Sequence, residues 1–209
     1  ESNAFGSGDK LDLNLPGQQQ ELMKAVCATG KPVVLVLLTG SALAVCWADE
    51  NIPAILNAWY PGALGGRAIA SVLFGEANPS GRLPVTFYRT TEELPDFTDY
   101  AMENRTYRYM KNEALYPFGF GLSYTQFEYS NLSLSSNEIS PGAGLTATVT
   151  VTNTGKLAGD EIAQLYIRDV EASFTVPVLQ LSGMKRLSLA PGQSARVSFE
   201  IQPEQLTVV

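Results

Sequence analysis

Ala54-Ile55-Leu56-Asn57-Ala58-Trp59-Tyr60-Pro61-Gly62, running on through Gly65-Gly66-Arg67 and Leu73-Phe74-Gly75 to Asn78-Pro79-Ser80-Gly81-Arg82-Leu83-Pro84, decides the fold. It orders a short apolar strand, an aromatic strand end, a glycine turn, an amphipathic helix and a stiff polar loop. Strand, loop and helix in that order are the unit from which α/β clefts are built. The strand reads over 54–59 and the helix over about 64–74, with Ile69, Val72 and Leu73 turned inward and Gly75 as the stop. Upstream, Pro16 opens a helix, where its missing N–H costs nothing. Leu22, Met23 and Val26 form one apolar stripe on that helix, and Gly30 ends it. Residues 33–38 are a continuous Val/Leu run, which predicts a strand buried on both faces of a parallel sheet.

Downstream of about residue 126 the texture changes. Leu145-Thr146-Ala147-Thr148-Val149-Thr150-Val151-Thr152 alternates with period two, and Asn153-Thr154-Gly155-Lys156 makes a turn. Glu161 to Val170 and Ala195 to Ile201 alternate likewise, with Pro191-Gly192 between them. Short strands at this spacing with Gly, Pro and Asn turns predict an antiparallel β-sandwich. The fold class is therefore α/β followed by all-β, with domains over 1–125 and 126–209 and the boundary within 122–128. Residues 88–118 carry little periodicity and read as a long ordered loop.

Composition narrows the function. The 209 residues are 45% hydrophobic and 17% charged, which suits a globular chain with a sizeable core. Fourteen basic against twenty-one acidic residues give a net charge of -7, so nucleic acid is excluded as an expected partner. A neutral, hydroxyl-rich or small-molecule ligand fits this charge. There is no histidine, which removes Ser-His-Asp and Cys-His catalysis and every imidazole metal site, so no metal is expected. Cys27 and Cys46 are the two cysteines. A disulfide between them stays open beside the plainer reading of two buried small hydrophobes. Pro32 to Leu38 is too short to span a bilayer, and no membrane partner is expected. Gly62, Gly65 and Gly66 lack the G-x-G-x-x-G spacing and no Walker lysine follows, which argues against a nucleotide site. The chain begins at Glu1 and stops at Val209 inside a strand pattern, so both ends read as cut.

Several further motifs fall in a fixed order. Gly8-Asp9-Lys10 precedes Leu15-Pro16-Gly17-Gln18-Gln19 and Gly30-Lys31-Pro32-Val33-Val34. Ala58-Trp59-Tyr60-Pro61-Gly62 and Asn78 to Pro84 follow, then Arg105-Thr106-Tyr107-Arg108-Tyr109 and Tyr116-Pro117-Phe118-Gly119-Phe120-Gly121-Leu122-Ser123-Tyr124. Val151-Thr152-Asn153-Thr154-Gly155 and Gln164-Leu165-Tyr166 close the series. In this order, and over nearly the whole chain, the sequence resembles the C-terminal part of a glycoside hydrolase family 3 enzyme of the β-glucosidase and β-xylosidase type.

The resemblance implies the second part of an α/β sandwich domain plus a fibronectin type III-like β-sandwich, the N-terminal barrel being absent from this chain. It implies an exo-acting, retaining enzyme that hydrolyses terminal β-linked glucose or xylose from an oligosaccharide or aryl glycoside and needs no cofactor. The nucleophile would be an aspartate on the barrel, itself a partner of this chain. The general acid/base would be a loop glutamate shortly before the Gly-Asp-Lys element, where Glu1 is the glutamate this chain offers. The other reading of Glu1 is a chance terminus with the acid lost upstream. The resemblance leaves homo-oligomerisation open and favours a periplasmic or secreted setting over the cytoplasm. The alternative function is a non-catalytic carbohydrate-binding or structural accessory module.

Other candidates weigh against bland roles. Asp9 orders a turn or supports the acid loop. Trp59 and Tyr60 stand where a cleft would open, or pack an interface. Tyr107, Arg108 and Tyr109 reach sugar hydroxyls or pack between domains. Glu92, Glu93 and Asp96 read as a solvated acidic face, and Tyr116 to Tyr124 as a hinge. Asn104-Arg105-Thr106 and Asn131-Leu132-Ser133 match the N-glycosylation pattern, which is common by chance.

Overall fold

The computed structural model describes residues 2–3, 6–7 and 10–207. Glu1 and Asp9 lie outside the described residues. Cα proximity divides the chain into two units. The first takes residues up to Ala70, Val85–Thr106 and Met110–Phe118; the second takes Ser71–Pro84, Tyr107–Tyr109 and Gly119 onward.

The first unit opens with a minimal antiparallel pair, β1 (Ser2–Asn3) and β2 (Gly6–Ser7), followed by α1 (Gln19–Cys27). After α1 the chain reaches Gly30 in the left-handed region at φ +72°, which a glycine adopts without strain. Met23 is buried, but Leu22 is 65% exposed and Val26 is exposed too, so the expected stripe is covered at one position only. β3 (Val34–Leu37) and β4 (Ala54–Asn57) form a parallel pair in the register Val34↔Ala54 to Leu37↔Asn57. β3 is not buried on both faces: Val34 is exposed and Leu37 buried, and β4 is its one sheet neighbour among the described residues.

The crossover between the strands is α2 (Cys46–Asn51), a six-residue helix that the sequence reading did not foresee. Val45, Ala48 and Ile52 are buried and three and four residues apart, which places them on one helical face. Both thiols are free and half-buried rather than buried, and Cys46 Sγ lies 3.2 Å from the Arg89 carbonyl. Leu13 anchors the segment ahead of α1: its N–H donates to Thr91 Oγ1 at 3.0 Å and its carbonyl accepts from Ala44 N at 2.7 Å.

α3 (Gly65–Leu73) begins where Pro61 folds back over the helix start. A Cβ on Gly65 would stand 2.5 Å from Pro61 Cγ, so this close approach requires glycine. Leu73, expected inward, is exposed; Ile69 and Val72 are half-buried. The long 88–118 segment is ordered by short devices. A 3-10 turn spans Thr91–Glu93, α4 spans Thr106–Tyr109, and Phe87 pairs with Tyr116 through N–H to O=C bonds of 2.9 and 3.3 Å.

The second unit holds an antiparallel three-stranded sheet in the order β5 (Phe127–Leu134), β6 (Leu145–Asn153), β9 (Ser194–Ile201) and an antiparallel pair, β7 (Gly159–Ile167) with β8 (Gln180–Leu189). Along β9, Val197, Phe199 and Ile201 are buried and their neighbours are exposed, as expected for a sheet with one wet face. Val149, Val151, Ala163, Leu189, Val197 and Phe199 form the core cluster. On the opposite face, Thr148 pairs with Ser198 and Thr152 with Ser194 across the ladder.

Asn153 ends β6 fully buried, and its amide is completely satisfied. Nδ2 donates to the Leu157 and Leu189 carbonyls at 2.8 and 2.9 Å, and Oδ1 accepts from Thr125 Oγ1 and Gly155 N at 2.8 and 3.1 Å. Four hydrogen bonds tie two loops and the end of β8 to the end of β6. Asn153→Ala should lower unfolding stability by about 2–4 kcal/mol, since it opens space and strands four partners, of which Thr125 and Leu189 are buried. Urea denaturation reads this as a fall in midpoint at constant slope.

Candidate functional site

The C-terminal ends of the two parallel strands are where a ligand crevice opens in an α/β sheet. Beyond β4, Ala58 N still donates to Leu37 O at 2.9 Å, and the chain then turns sharply at Trp59, whose φ is +53°. A bulky residue in this region costs on the order of 1–3 kcal/mol and persists only where the surroundings impose it. Trp59 meets Phe87 edge to face at 6.3 Å, and Phe87 meets Tyr116 in the same manner at 6.0 Å. Tyr116 donates to Asp49 Oδ1 at 2.6 Å. Burial, with the bond to Asp49 and its charge behind it, pushes this phenol above the ordinary tyrosine value.

Tyr60 is exposed, and its ring lies against Gly40 in the loop after β3: a Cβ there would be 2.6 Å from the ring. Thus Gly40 lets the two strand-end loops close on each other. Asn57, the last residue of β4, has both amide atoms buried and without a hydrogen-bond partner. Buried orphans of this kind are rare and call for a partner. The aromatic strand end, its strained backbone and the orphan amide therefore fall within four residues, 57–60.

In the second unit the Asn78–Pro84 loop is bonded residue by residue. Asn78 Nδ2 donates to Ala158 O, and its Oδ1 accepts from Ser123 Oγ and Tyr124 N. Arg82 donates to Glu161 Oε2 at 2.5 Å, and Tyr129 donates to Oε1 at 2.8 Å. Burial and the Glu161 carboxylate raise the Tyr129 phenol above its usual range. Arg186 binds Asp160 and also reaches Ser80 Oγ. The hydrogen bonds from Ser188 and Arg186 hold the Asp160 carboxyl below the usual range.

Residues 1–124 match the model of the glycosyl hydrolase family 3 C-terminal domain, and residues 161–209 that of a fibronectin type III-like domain. The chain belongs to glycosyl hydrolase family 3. It is 43% identical to a β-xylosidase of Formosa agariphila, over 97% of this chain and 29% of that protein. It is 42% identical to a periplasmic β-glucosidase of Salmonella typhimurium, over 97% of this chain and 28% of the relative. A solved β-glucosidase from Erythrobacter marinus superposes with a TM-score of 0.85 at 44% identity, over 96% of this chain and 27% of that one. This family 3 chain therefore spans under a third of the length of each.

The other expected residues of the family 3 chain each meet partners within their own unit. Tyr107 OH accepts from Leu181 N at 3.3 Å, and its ring meets Tyr166 edge to face at 5.9 Å. Arg108 stacks over Tyr109 at 5.8 Å, and its carbonyl accepts from Val178 N. The Glu92, Glu93 and Asp96 carboxylates cap local turns: Glu93 accepts from Arg89 N, and Asp96 from Thr98. Among the described residues, no group of three or more acidic, Cys or His side chains is placed to hold a metal ion, and no helix is long and apolar enough to cross a membrane. The strain at Trp59 and the orphan at Asn57 left no sequence signal beyond the aromatic strand end.

Glu161 is the one buried carboxylate among the described residues, and both of its oxygens are engaged. Removing one partner of such a pair strands the other. Arg82→Ala should cost about 3 kcal/mol or more, whereas the apolar pair Arg82→Met with Glu161→Leu should recover most of that loss. Thermal unfolding of the two variants measures it, and equal destabilisation in the single and the double variant contradicts the assignment.

Proposed function

We propose that the chain is the C-terminal portion of a retaining, exo-acting β-glycosidase that releases terminal β-linked glucose or xylose. Residues 1–125 are assigned to the second part of an α/β sandwich domain and 126–209 to a fibronectin type III-like sandwich. A barrel elsewhere in the same enzyme carries the nucleophilic aspartate. The observation that carries this reading is identity of 42–44% over 96–97% of the chain to proteins named β-xylosidase and β-glucosidase. A periplasmic or secreted setting goes with the reading and draws on the relative named a periplasmic β-glucosidase.

The chemistry needs two carboxyl groups about 5–5.5 Å apart, one attacking the anomeric carbon and one protonating the departing oxygen. The barrel aspartate attacks and forms a glycosyl-enzyme. Glu1 gives its proton to the leaving group and then, as a carboxylate, takes a proton from the water that releases the sugar. Packing beside the ionised nucleophile raises the acid's pKa, so it stays protonated at working pH.

In the intact enzyme, Glu1→Gln should lower kcat for aryl glycosides with poor leaving groups by about 10²–10⁴-fold. It should slow glycosyl-enzyme formation far less where the leaving group is a dinitrophenolate, which departs without a proton. The basic limb of the pH–rate profile should vanish, because glutamine does not ionise. An unchanged kcat removes Glu1 from this role and leaves the glycosidase reading standing.

The 209-residue chain alone, without a nucleophile, should show no turnover of aryl β-glucosides or β-xylosides. Turnover by the isolated chain overturns the division of labour. Saturable sugar binding by an intact protein that turns over none of these substrates favours a non-catalytic module instead.

A further inference from the structure

The 94–106 segment makes no contribution to the roles assigned so far, yet it is unusually well tied down. Arg105 is the clamp: Nε donates to the Ala101 carbonyl at 2.9 Å, and Nη2 to the carbonyls of Asp96 and Asp99. Asp96 Oδ1 accepts from Thr98 N and Oγ1, and Asp99 Oδ1 from Ala101 N at 2.8 Å. Thr106 N donates at 2.7 Å to the hydroxyl of the buried Tyr88, which fixes the far end. On this braced backbone Tyr100 is 88% exposed and Phe97 60%. Large apolar side chains held out to solvent mark contact surfaces, and rings on a fixed backbone bind without a further ordering cost.

We propose that this loop is a carbohydrate-stacking platform, with Phe97 and Tyr100 as its contact rings, for sugar units of a β-linked oligosaccharide. The proposal rests on the glycosidase reading for its choice of ligand. The chemistry on the loop favours a sugar. A pyranose offers an apolar C–H face to an aromatic ring and hydroxyls at its rim. The Tyr100 hydroxyl and the second oxygens of Asp96 and Asp99 have no hydrogen-bond partner among the described residues and can accept from those hydroxyls. Hydrogen bonds from Thr98 hold the Asp96 carboxyl below its usual range, so it is an ionised acceptor. The same carboxylates repel phosphate and anionic lipid surfaces. Size decides against a protein partner: two rings supply at most about 300–500 Å², against roughly 800 Å² per partner in a stable protein interface.

The test uses the intact enzyme, with xylotetraose and cellotetraose set against a simple aryl glycoside. Tyr100→Ala combined with Phe97→Ala should raise KM for the tetrasaccharide about tenfold, which corresponds to about 1.4 kcal/mol. It should leave kcat and both aryl glycoside constants unchanged, and Tyr100→Trp should retain wild-type KM. Equal losses on both substrate types, or none on the tetrasaccharide, overturn the platform. Saturation-transfer NMR with the same tetrasaccharides keeps the two readings separable. Sugar signals that disappear in the alanine variant support the platform even if the enzyme hydrolyses neither substrate, and signals that persist refute it. Tetranitromethane that leaves Tyr100 unmodified in the intact enzyme also overturns it, since the ring is then covered by the protein itself.

Discussion

A carboxylate cannot be taken out of water unless something charged or polar meets it, and Glu161 in β7 is met by Arg82 from a loop 79 residues earlier. That one requirement explains much of the second unit. Arg82 is delivered by a loop with proline at positions 79 and 84, which limits backbone freedom and lowers the cost of holding the guanidinium in place. The same loop sends Asn78 to three partners and Ser80 to Arg186, so it is bonded as tightly as a strand without being one. The pair adds little net stability over an apolar substitute, since desolvation offsets the attraction. Its effect is discrimination: a misplaced loop would strand Glu161, whereas a misplaced leucine would merely pack less well.

The legible parts of the fold were those in which one physical rule acted alone. β6 and β9 carry strict alternation because each turns one face to the core and a polar face away from it, wet along β9 and half-covered along β6, and their boundaries follow from that pattern. β5 and β8 lost the pattern for identifiable reasons. In β5 the register shifts between Ser130 and Ser133, with Asn131 at φ +54°, so the period-two signal slips. In β8 the shift opposite Leu165 and Tyr166 coincides with Gly183, where a Cβ would stand 2.6 Å from the Phe199 ring. α2 escaped notice because six residues with no side-chain cap carry almost no helical periodicity. The exposed Leu22, Val26 and Val34 mark the opposite error: amphipathic pattern says which face seeks cover, and it cannot say whether the cover is in the same chain.

The motifs behaved as signatures of architecture. Trp59 and Tyr60 were legible as an aromatic strand end, but the left-handed turn at Trp59 and its edge-on contact with Phe87 depend on residues distant in sequence. Nothing in the sequence marks Gly40 as the glycine on which the Tyr60 ring lies. Sequence patterns record which residues are needed; which atoms they must avoid is written only in the packing.

Electrostatics points the same way about the chemistry. A general acid for glycoside cleavage has to hold its proton near neutral pH, so its pKa must be raised by burial or by a like charge. Among the described residues, every carboxyl whose pKa is displaced is displaced downward: Glu92, Asp96, Glu103 and Asp160, each by hydrogen bonds it accepts. Glu161 is buried, and Arg82 and Tyr129 occupy both of its oxygens. Asp49 is committed to Tyr116 in the same way. The four displaced carboxyls are biased toward the ionised form, which suits capping and bracing and is the wrong bias for donating a proton. An acid with the opposite bias needs burial or a neighbour of like charge, and this is the physical argument behind the proposal that proton transfer falls to Glu1 beside a barrel nucleophile.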